Sequence, residues 1–428
     1  MGPSLIFDKS TLQGLNPDES VWLEHFYINN ITPLFFVETL ADLELEMKKG
    51  RTPEDIVGNL AYKTPEMAKV NAYHRNLIQS ELLYDDCIIE MSGRPVLPGG
   101  RTVVSDGKIG IIFDESPENE AFKRWQKSEF LEIERSIAKT WRLSLNEINT
   151  EQNFNNAKIF FNILNKSKTL DDLKTNIDRI LDVPKNEEIL KNSLYIMNIS
   201  DSAHDSIIKK FRESKFQTIK EIFPYFAYVL SVDLFLYFGS DNNLFSFLPH
   251  SATHKVDMAY FYYLPFCNIF TSNDKLHVAL SKYFMRQDQA FINGSDLKNE
   301  LKRLDEYYSK FSEEVKARGL FSLAPCPPDE IDSLTVKMWD KYMSKDWREI
   351  KNRIRKFDGS DKINPEANKV ILDKIKEMMQ KSKTVEDGAL HNSDDADSII
   401  IRHMVKAKKG KWTKFPPEVL KSKPLMED

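Results

Sequence analysis

The chain has 428 residues, of which 41% are hydrophobic and 29% are charged, and these fractions are typical of globular proteins. The composition excludes a wholly disordered or fibrous chain, and the length suits about two to four domains. The 60 basic and 65 acidic residues give a net charge of −5, so a nucleic-acid surface would have to be a local patch. The three cysteines form no CxxC pair, which argues against disulfides and structural zinc and favours a reducing cytosol.

The N-terminal residues alternate between strand-like and helix-like patterns. An apolar run over 4–7 predicts a short strand, and Asn16-Pro17 marks the start of a helix predicted over 17–28. The apolar, partly β-branched run over 31–37 predicts a second strand. Such alternation is typical of an α/β sheet, and no secretory signal pattern precedes the first strand. We therefore expect an α/β domain in a cytoplasmic protein.

The middle of the chain changes character twice. Residues 68–83 predict a helix, and the proline- and glycine-rich stretch 94–113 predicts a β-hairpin. From 118 to 239 amphipathic helical patterns dominate and glycine is nearly absent, which predicts a helical insertion. The apolar run 222–239 approaches the length of a membrane span, but the central Asp233 disfavours entry into a bilayer. We therefore expect a buried helix and no membrane contact.

The α/β pattern resumes near residue 250. A helix is predicted over 255–265, a strand over 267–272 and a helix over 274–284. Two amphipathic helices, over 297–318 and 333–357, are expected beyond them. The chain then becomes polar and ends in a basic tail.

Two acidic residues come after predicted strands. Asp8 directly follows the run 4–7, and Asp274 follows the predicted strand 267–272. In open α/β sheets, ligands bind at the carboxyl ends of the strands. We therefore expect the two carboxylates to converge at one edge of the sheet.

Further acids lie near other predicted element ends. Asp257 begins a predicted helix, Asp42 follows the second predicted strand, and Glu38 lies four residues before Asp42 on the same helical face. Each acid alone also suits a structural role, as a helix cap, a turn residue or part of a solvated helix face. Clustered carboxylates repel unless they are neutralised, and an all-oxygen ligand set suits Mg²⁺ or Mn²⁺. Together the acids predict a divalent-metal site.

These stretches resemble the four acidic signatures of the PIN-like metal-dependent nucleases, in that family's order. The first, second, third and fourth acids of the family are matched by Asp8, Asp42, Asp257 and Asp274. At the second place the family more often has Glu. Ser272 falls where the family often has a Ser or Thr at the end of a strand. The matching stretches are Leu5-Ile6-Phe7-Asp8-Lys9-Ser10, Thr39-Leu40-Ala41-Asp42-Leu43, Asp257-Met258-Ala259 and Phe270-Thr271-Ser272-Asn273-Asp274. The resemblance covers residues 4–46 and 250–297 only, and a long insertion separates the second and third acids.

The resemblance implies a PIN-like parallel sheet sandwiched by helices, with a large mostly helical insertion and a C-terminal helical extension. It implies that Asp8, Asp42, Asp257 and Asp274 bind the metals, with Glu38 as a further candidate ligand. The corresponding divisions of the chain are 1–67 and 250–300 for the core, 68–249 for the β excursion and helical insertion, 301–381 for the helical extension and 382–428 for the polar and basic tail.

The activity implied by the resemblance is phosphodiester hydrolysis by a Mg²⁺- or Mn²⁺-dependent endonuclease, with RNA favoured over DNA. Two metal ions would activate a water and stabilise the leaving oxygen. A prokaryotic toxin or antiviral defence role, with a regulatory protein partner, is a further implication. The alternative is a non-catalytic PIN-like protein whose insertion and tail bind a partner.

Basic and polar residues near the acids and in the tail are candidates for substrate binding. Lysines and an aromatic residue together suit a nucleic-acid backbone, although a solvated terminus is the alternative for the tail. The role of the acidic group at 394–397 stays open. The candidates near the acids are Lys9, Ser272, Lys275 and His277, and those in the tail are Arg402, Lys406, Lys408, Lys409, Lys411 and Trp412.

Overall fold

The computed structural model describes residues 2–41, 43–66, 69–85, 87–98, 100–105, 108–113, 117–136, 140, 151–245, 254–349 and 408–414. Five of the described strands form one parallel sheet, in the order β3-β2-β1-β6-β7. The strands in chain order are β1 (Ser4–Phe7), β2 (Ile28–Ile31), β3 (Lys69–Val70), β4 (Gly100–Ser105), β5 (Lys108–Phe113), β6 (Ile269–Ser272), β7 (Ala290–Asn293), β8 (Lys408–Lys409) and β9 (Trp412–Thr413). The α/β class and the parallel sheet are thus confirmed, and β4 and β5 form the predicted hairpin.

Strand β1 lies at the centre of the sheet. Leu5 pairs with Asn29 of β2 on one side and with Ile269 of β6 on the other. The chain builds outward from β1 to β2 and β3, and then builds in the opposite direction through β6 and β7. The boundary between β1 and β6 is therefore the topological switch point, where α/β sheets form ligand crevices at the strand carboxyl ends.

Each face of the sheet is covered by its own hydrophobic core. Side chains alternate along a strand, so Leu5 and Phe7 enter one core while Ile6 enters the other. The neighbouring strand repeats the pattern, because Ile269 joins the core of Leu5 and Phe270 joins the core of Ile6. Burial on both faces explains why the consecutive residues 5–7 and 269–270 are all apolar.

The N-terminal and C-terminal helices share the core that contains Leu5. This core also receives Trp412 of the tail, so residues far apart in the chain are packed together. Helices that contribute buried side chains to it are α1 (Lys9–Gly14), α2 (Pro17–Phe26), α4 (Leu43–Met47), α5 (Pro53–Lys63), α7 (Pro117–Gln126), α16 (Gly294–Ser309), α18 (Leu320–Leu323) and α19 (Leu334–Tyr342), while α17 (Glu313–Ala317) contributes none.

The helical insertion packs on the opposite core. Helix α13 (Pro224–Asp241) is buried along almost its whole length, which confirms the expected buried helix. No helix in the described part of the chain is long and apolar enough to cross a membrane. The other helices of this core are α6 (His74–Leu83), α8 (Glu151–Phe160), α9 (Leu170–Leu181), α10 (Glu187–Ile196), α11 (Asp201–Glu213), α12 (Ile219–Ile222), α14 (His254–Ala259), α15 (Lys275–Leu280) and the 3₁₀ segments Asn162–Lys166 and Tyr260–Phe266.

The strand predicted over 31–37 is wrong. The strand β2 ends at Ile31, and helix α3 (Pro33–Ala41) begins two residues later with proline in its first turn. Leu34 and Val37 of α3 enter one core while Phe35 and Phe36 enter the other, so the helix is apolar all round. A short apolar run of this kind cannot be distinguished from a buried strand by periodicity.

Candidate functional site

Asp8 is held rigidly where β1 ends. It is the N-cap of α1, and its Oδ1 accepts a hydrogen bond of 2.8 Å from the backbone N–H of Thr11. Its Oδ2 accepts hydrogen bonds of 2.7 Å from the hydroxyls of Ser10 and Ser272. The carboxylate is 4% exposed. Asp8 thus caps α1, in line with the structural alternative to a metal ligand, and also joins β1 to β6.

Ser272 links three residues at the end of β6. Besides donating to Asp8, its Oγ lies 2.7 Å from His277 Nδ1 and accepts a 2.9 Å hydrogen bond from the N–H of Asp274. His277 Nε2 lies 2.7 Å from the carbonyl oxygen of Asp257 and therefore carries a proton. The Ser272 hydroxyl thus joins Asp8, His277 and Asp274 in one set of hydrogen bonds.

Asp274 caps the helix that follows β6. Its Oδ1 accepts hydrogen bonds from the N–H groups of Leu276, at 2.7 Å, and His277, at 3.4 Å. The side chain is half-buried. Asp8 and Asp274 therefore begin two helices at the ends of adjacent parallel strands, on either side of the switch point.

Glu38 lies close to Asp8 through two shared neighbours. Lys9 Nζ is 3.6 Å from Glu38 Oε1, and the Tyr260 hydroxyl donates a 2.7 Å hydrogen bond to Glu38 Oε2. Burial, followed by the charges of Glu38 and Asp8, raises the pKa of Tyr260 well above its usual range. The phenol therefore remains protonated and donates its hydrogen bond to Glu38.

The remaining predicted acids have different positions. Asp257 is a half-buried residue of α14, and its backbone carbonyl is the acceptor for His277. Asp42 lies outside the described residues. The described acids that meet near the switch point are thus Asp8 and Asp274, joined by Ser272, with Glu38 reached through Tyr260.

The residues at the sheet edge suit a divalent metal because of the chemistry of their side chains. Within the ranges that the structure describes, no three His, Cys, Asp or Glu side chains are grouped as a metal site requires. The side chains at the edge nevertheless offer carboxylate and hydroxyl oxygens, which Mg²⁺ and Mn²⁺ prefer. A carboxylate has about four lone-pair sites, and protein donors occupy three of them on Asp8. No described residue donates a fourth hydrogen bond to Asp8.

Three of the predicted substrate contacts near the acids are buried in the structure. Lys9, Ser272 and His277 are 5%, 0% and 1% exposed. Each is occupied by the protein instead: Lys9 by Glu38, and Ser272 and His277 by one another. Lys275 is exposed and remains a candidate.

Two of the tail residues predicted to bind substrate, Lys409 and Trp412, are buried in the structure. Lys409 is fully buried and Trp412 is 1% exposed, because both pack into the protein. Lys411 is half-exposed and forms a 2.5 Å ion pair with Asp305, which also accepts a hydrogen bond from Trp412 Nε1. Lys408 is exposed, while Arg402 and Lys406 lie outside the described residues.

The buried lysines of the tail complete an internal charge network that the sequence did not reveal. Lys409 Nζ is 3.2 Å from Glu24 Oε2, and Lys414 Nζ is 2.7 Å from both Glu24 Oε1 and Glu66 Oε2. Lys409 also donates to the carbonyl oxygens of Lys63 and Thr64. Gly410, with a φ of +56°, makes the turn between the two lysines and was the available signal for a hairpin.

Comparison with known proteins gives no match: no protein-family model fits the chain, and neither curated proteins nor solved structures are similar to it.

Proposed function

We propose that this protein is a PIN-like, Mg²⁺- or Mn²⁺-dependent nuclease that cleaves phosphodiester bonds, with RNA as the favoured substrate. The supporting observation is that Asp8 and Asp274 end adjacent parallel strands at the switch point and are linked through Ser272. Ligands bind at this edge of α/β sheets, and carboxylates there attract divalent cations.

Glu38 is our choice for the second acid of the site. It lies on the helix that follows β2 and shares Tyr260 with Asp8. The resemblance to PIN-like nucleases assigned this role to Asp42, although that family more often has Glu at that place. The proposed ligand set is Asp8, Glu38, Asp257 and Asp274, with Asp42 as a further candidate.

The chain's own residues orient the acids. Thr11 and Ser272 fix the carboxylate plane of Asp8, and His277 holds Ser272 through its own bond to the Asp257 carbonyl. Such supporting hydrogen bonds orient metal ligands in other proteins. Bound divalent ions would activate water and stabilise the leaving oxygen. Exposed Lys275, next to Asp274, is placed to attract a phosphate.

The test compares cleavage of a labelled single-stranded RNA and its DNA counterpart with Mg²⁺, Mn²⁺ or a chelator. We expect metal-dependent cleavage, faster for RNA. Asp8→Asn, Glu38→Gln and Asp274→Asn should each lower cleavage at least about 100-fold, since even outer-shell partners are worth about 10- to 100-fold. The matched control is Asp171→Asn, an exposed acid of α9.

A second readout separates metal binding from catalysis. Mg²⁺ or Mn²⁺ should raise the melting temperature of the wild type through preferential binding to the folded state, and Asp8→Asn should abolish the rise. Cleavage that persists in Asp8→Asn, or wild type that neither cleaves nor responds to metal, would contradict the proposal.

The non-catalytic alternative has its own supporting observation. The acids are already satisfied by protein donors, three on Asp8 and Tyr260 on Glu38. The insertion also exposes three apolar side chains close together in sequence, Ile159, Phe160 and Ile163, which are typical of a partner surface. Wild type without activity or metal response would favour this second reading.

A further inference from the structure

A pocket in the helical insertion shares no residue with the sheet edge. It has a volume of about 100 Å³ and lies between α6, the turn 196–200, α13 and the 3₁₀ segment Tyr260–Phe266. Small ligands commonly bind in such clefts between helices, where apolar walls surround a few polar groups.

The pocket contains two opposite charges that do not pair. Asp233 is 9% exposed and accepts a hydrogen bond from the Tyr262 hydroxyl at Oδ1, while no described residue donates to its Oδ2. Arg75 is half-buried in the same wall, and no described residue forms a hydrogen bond or ion pair with its guanidinium. Within the described chain no contact of 4.0 Å or less joins the two charges.

Both charges line the same pocket and influence the pKa values of the same two phenols. Burial raises the pKa of Tyr262, and Asp233 adds to the rise while Arg75 opposes it. The pKa of Tyr237 is likewise raised by burial and by Asp233 and lowered by Arg75. The carboxylate and the guanidinium are therefore held near each other without neutralising each other.

Apolar side chains form the rest of the wall. Ile78, Leu82, Val229 and Met197 are buried and line the pocket. A purely anionic ligand would bring its charge close to Asp233, and a purely cationic ligand would bring its charge close to Arg75. A ligand that carries both charges satisfies both residues, and an apolar group on it would contact the aliphatic wall.

We propose that this pocket binds a small zwitterion, an α-amino acid with an apolar side chain. Its ammonium group pairs with Asp233, its carboxylate pairs with Arg75, and its side chain lies against Ile78, Leu82 and Val229. Charge-assisted hydrogen bonds at both ends give the site its selectivity. The proposal stands independently of the nuclease activity.

The experiment is calorimetric titration of the full chain with L-leucine and with its two halves. Isoamylamine keeps the ammonium and the side chain, and 4-methylpentanoate keeps the carboxylate and the side chain. We expect L-leucine, or its close relatives isoleucine, methionine and valine, to bind and each half to bind at least about tenfold more weakly, because each loses a charged hydrogen-bond partner.

Variants of Asp233 and Arg75 then test which charged group of the ligand each residue binds. Asp233→Asn keeps an acceptor for Tyr262, and it should weaken L-leucine binding at least about tenfold, as should Arg75→Gln. The control is Arg179→Gln, which changes an exposed residue of α9 outside the pocket. This variant should bind L-leucine as tightly as the wild type does. Melting temperatures show whether each variant is folded.

Three results would overturn the proposal. The first is no binding of any of the four amino acids at about 10 mM, well above a millimolar dissociation constant. The second is isoamylamine binding as tightly as L-leucine, which would make the pocket an amine site. The third is undiminished L-leucine binding in folded Asp233→Asn and Arg75→Gln.

Discussion

The sheet edge and the C-terminal hairpin, residues 408–414, both bury ionised side chains, but they give them different partners. At the sheet edge, Asp8 is held by two hydroxyls and one backbone N–H. Under the hairpin, Lys409 and Lys414 face Glu24 and Glu66. Neutral donors leave a charge in place for a ligand, whereas the two lysines and two glutamates neutralise one another.

This difference distinguishes a candidate cation-binding site, at the sheet edge, from a structural ion-pair network, which we call the hairpin clamp, under residues 408–414. Buried charges that balance internally have no electrostatic attraction left for nucleic acid, although the sequence of the tail is basic. Acids that are oriented by hydroxyl and amide groups keep their net charge and so attract a cation.

The largest effect should come from Lys414→Met. Lys414 bridges Glu24 and Glu66 at 2.7 Å from each, so its loss leaves two buried carboxylates with less compensation. Removing one member of a buried ion pair typically costs about 3 to 5 kcal/mol. We expect the free energy of unfolding, measured in urea, to fall by about 3 kcal/mol.

Lys408→Met is the matched control, since Lys408 is exposed on the same hairpin. It should change the free energy of unfolding by less than about 0.5 kcal/mol. Equal stabilities of the two variants would mean that the hairpin does not dock on Glu24, and the tail would again be available for nucleic acid.

At the sheet edge, Ser272→Ala and Ser10→Ala form a natural pair. Both hydroxyls donate to Asp8 Oδ2 at 2.7 Å, but Ser272 is fully buried and Ser10 is exposed. Ser272→Ala also removes the acceptor of the Asp274 N–H. Because unsatisfied buried groups cost about 1 to 3 kcal/mol, we expect a loss of about 2 kcal/mol in unfolding free energy.

Water can replace the Ser10 hydroxyl, so Ser10→Ala should cost less than about 0.5 kcal/mol. Urea unfolding of both variants measures the difference. Similar values for the two variants would show that Ser272 does not hold Asp8. The claim that neutral donors hold the acid at the sheet edge would then be contradicted.

Much of the sheet edge could be predicted because its signals are local. A carboxylate directly after an apolar strand, as at Asp8, is visible in a few residues, and the parallel sheet brings such ends together. The strand predicted over 31–37 was wrong, because the apolar residues of that run lie on a helix, α3, and enter two cores. Local patterns therefore indicated acids near the ends of strands, but they predicted a strand where the structure has helix α3.

The hairpin could not be predicted because its partners are remote in sequence. Lys409 and Glu24 are separated by 385 residues, and no local pattern shows that one lysine will meet a particular carboxylate. The pocket charges have the same property, since Arg75 and Asp233 come from different helices. Charge density in a sequence thus indicates where cations are, and only the fold indicates whether they are neutralised.

The smallest predicted effect is a pH dependence of the hairpin clamp. Burial raises the pKa of Glu24, but the charges of Lys409 and Lys414 outweigh burial and hold it below its usual 4.5. A carboxyl group with a lowered pKa contributes stability above its unfolded value and loses it as the pH falls through the folded value. Glu66 behaves oppositely, because burial raises its pKa despite Lys414, so it takes up a proton first on acidification.

The penalty of Lys414→Met should therefore begin to shrink above pH 4.5, as Glu66 becomes neutral, and shrink further below 4.5, as Glu24 follows. We expect the penalty to be about 1 kcal/mol smaller at pH 4 than at pH 7. Urea unfolding of wild type, Lys414→Met and Lys408→Met at both pH values measures this, with the Lys408→Met difference expected to stay constant. A Lys414→Met penalty that is unchanged at pH 4 would show that packing of the lysine stem, rather than its pairing with carboxylates, holds the hairpin in place.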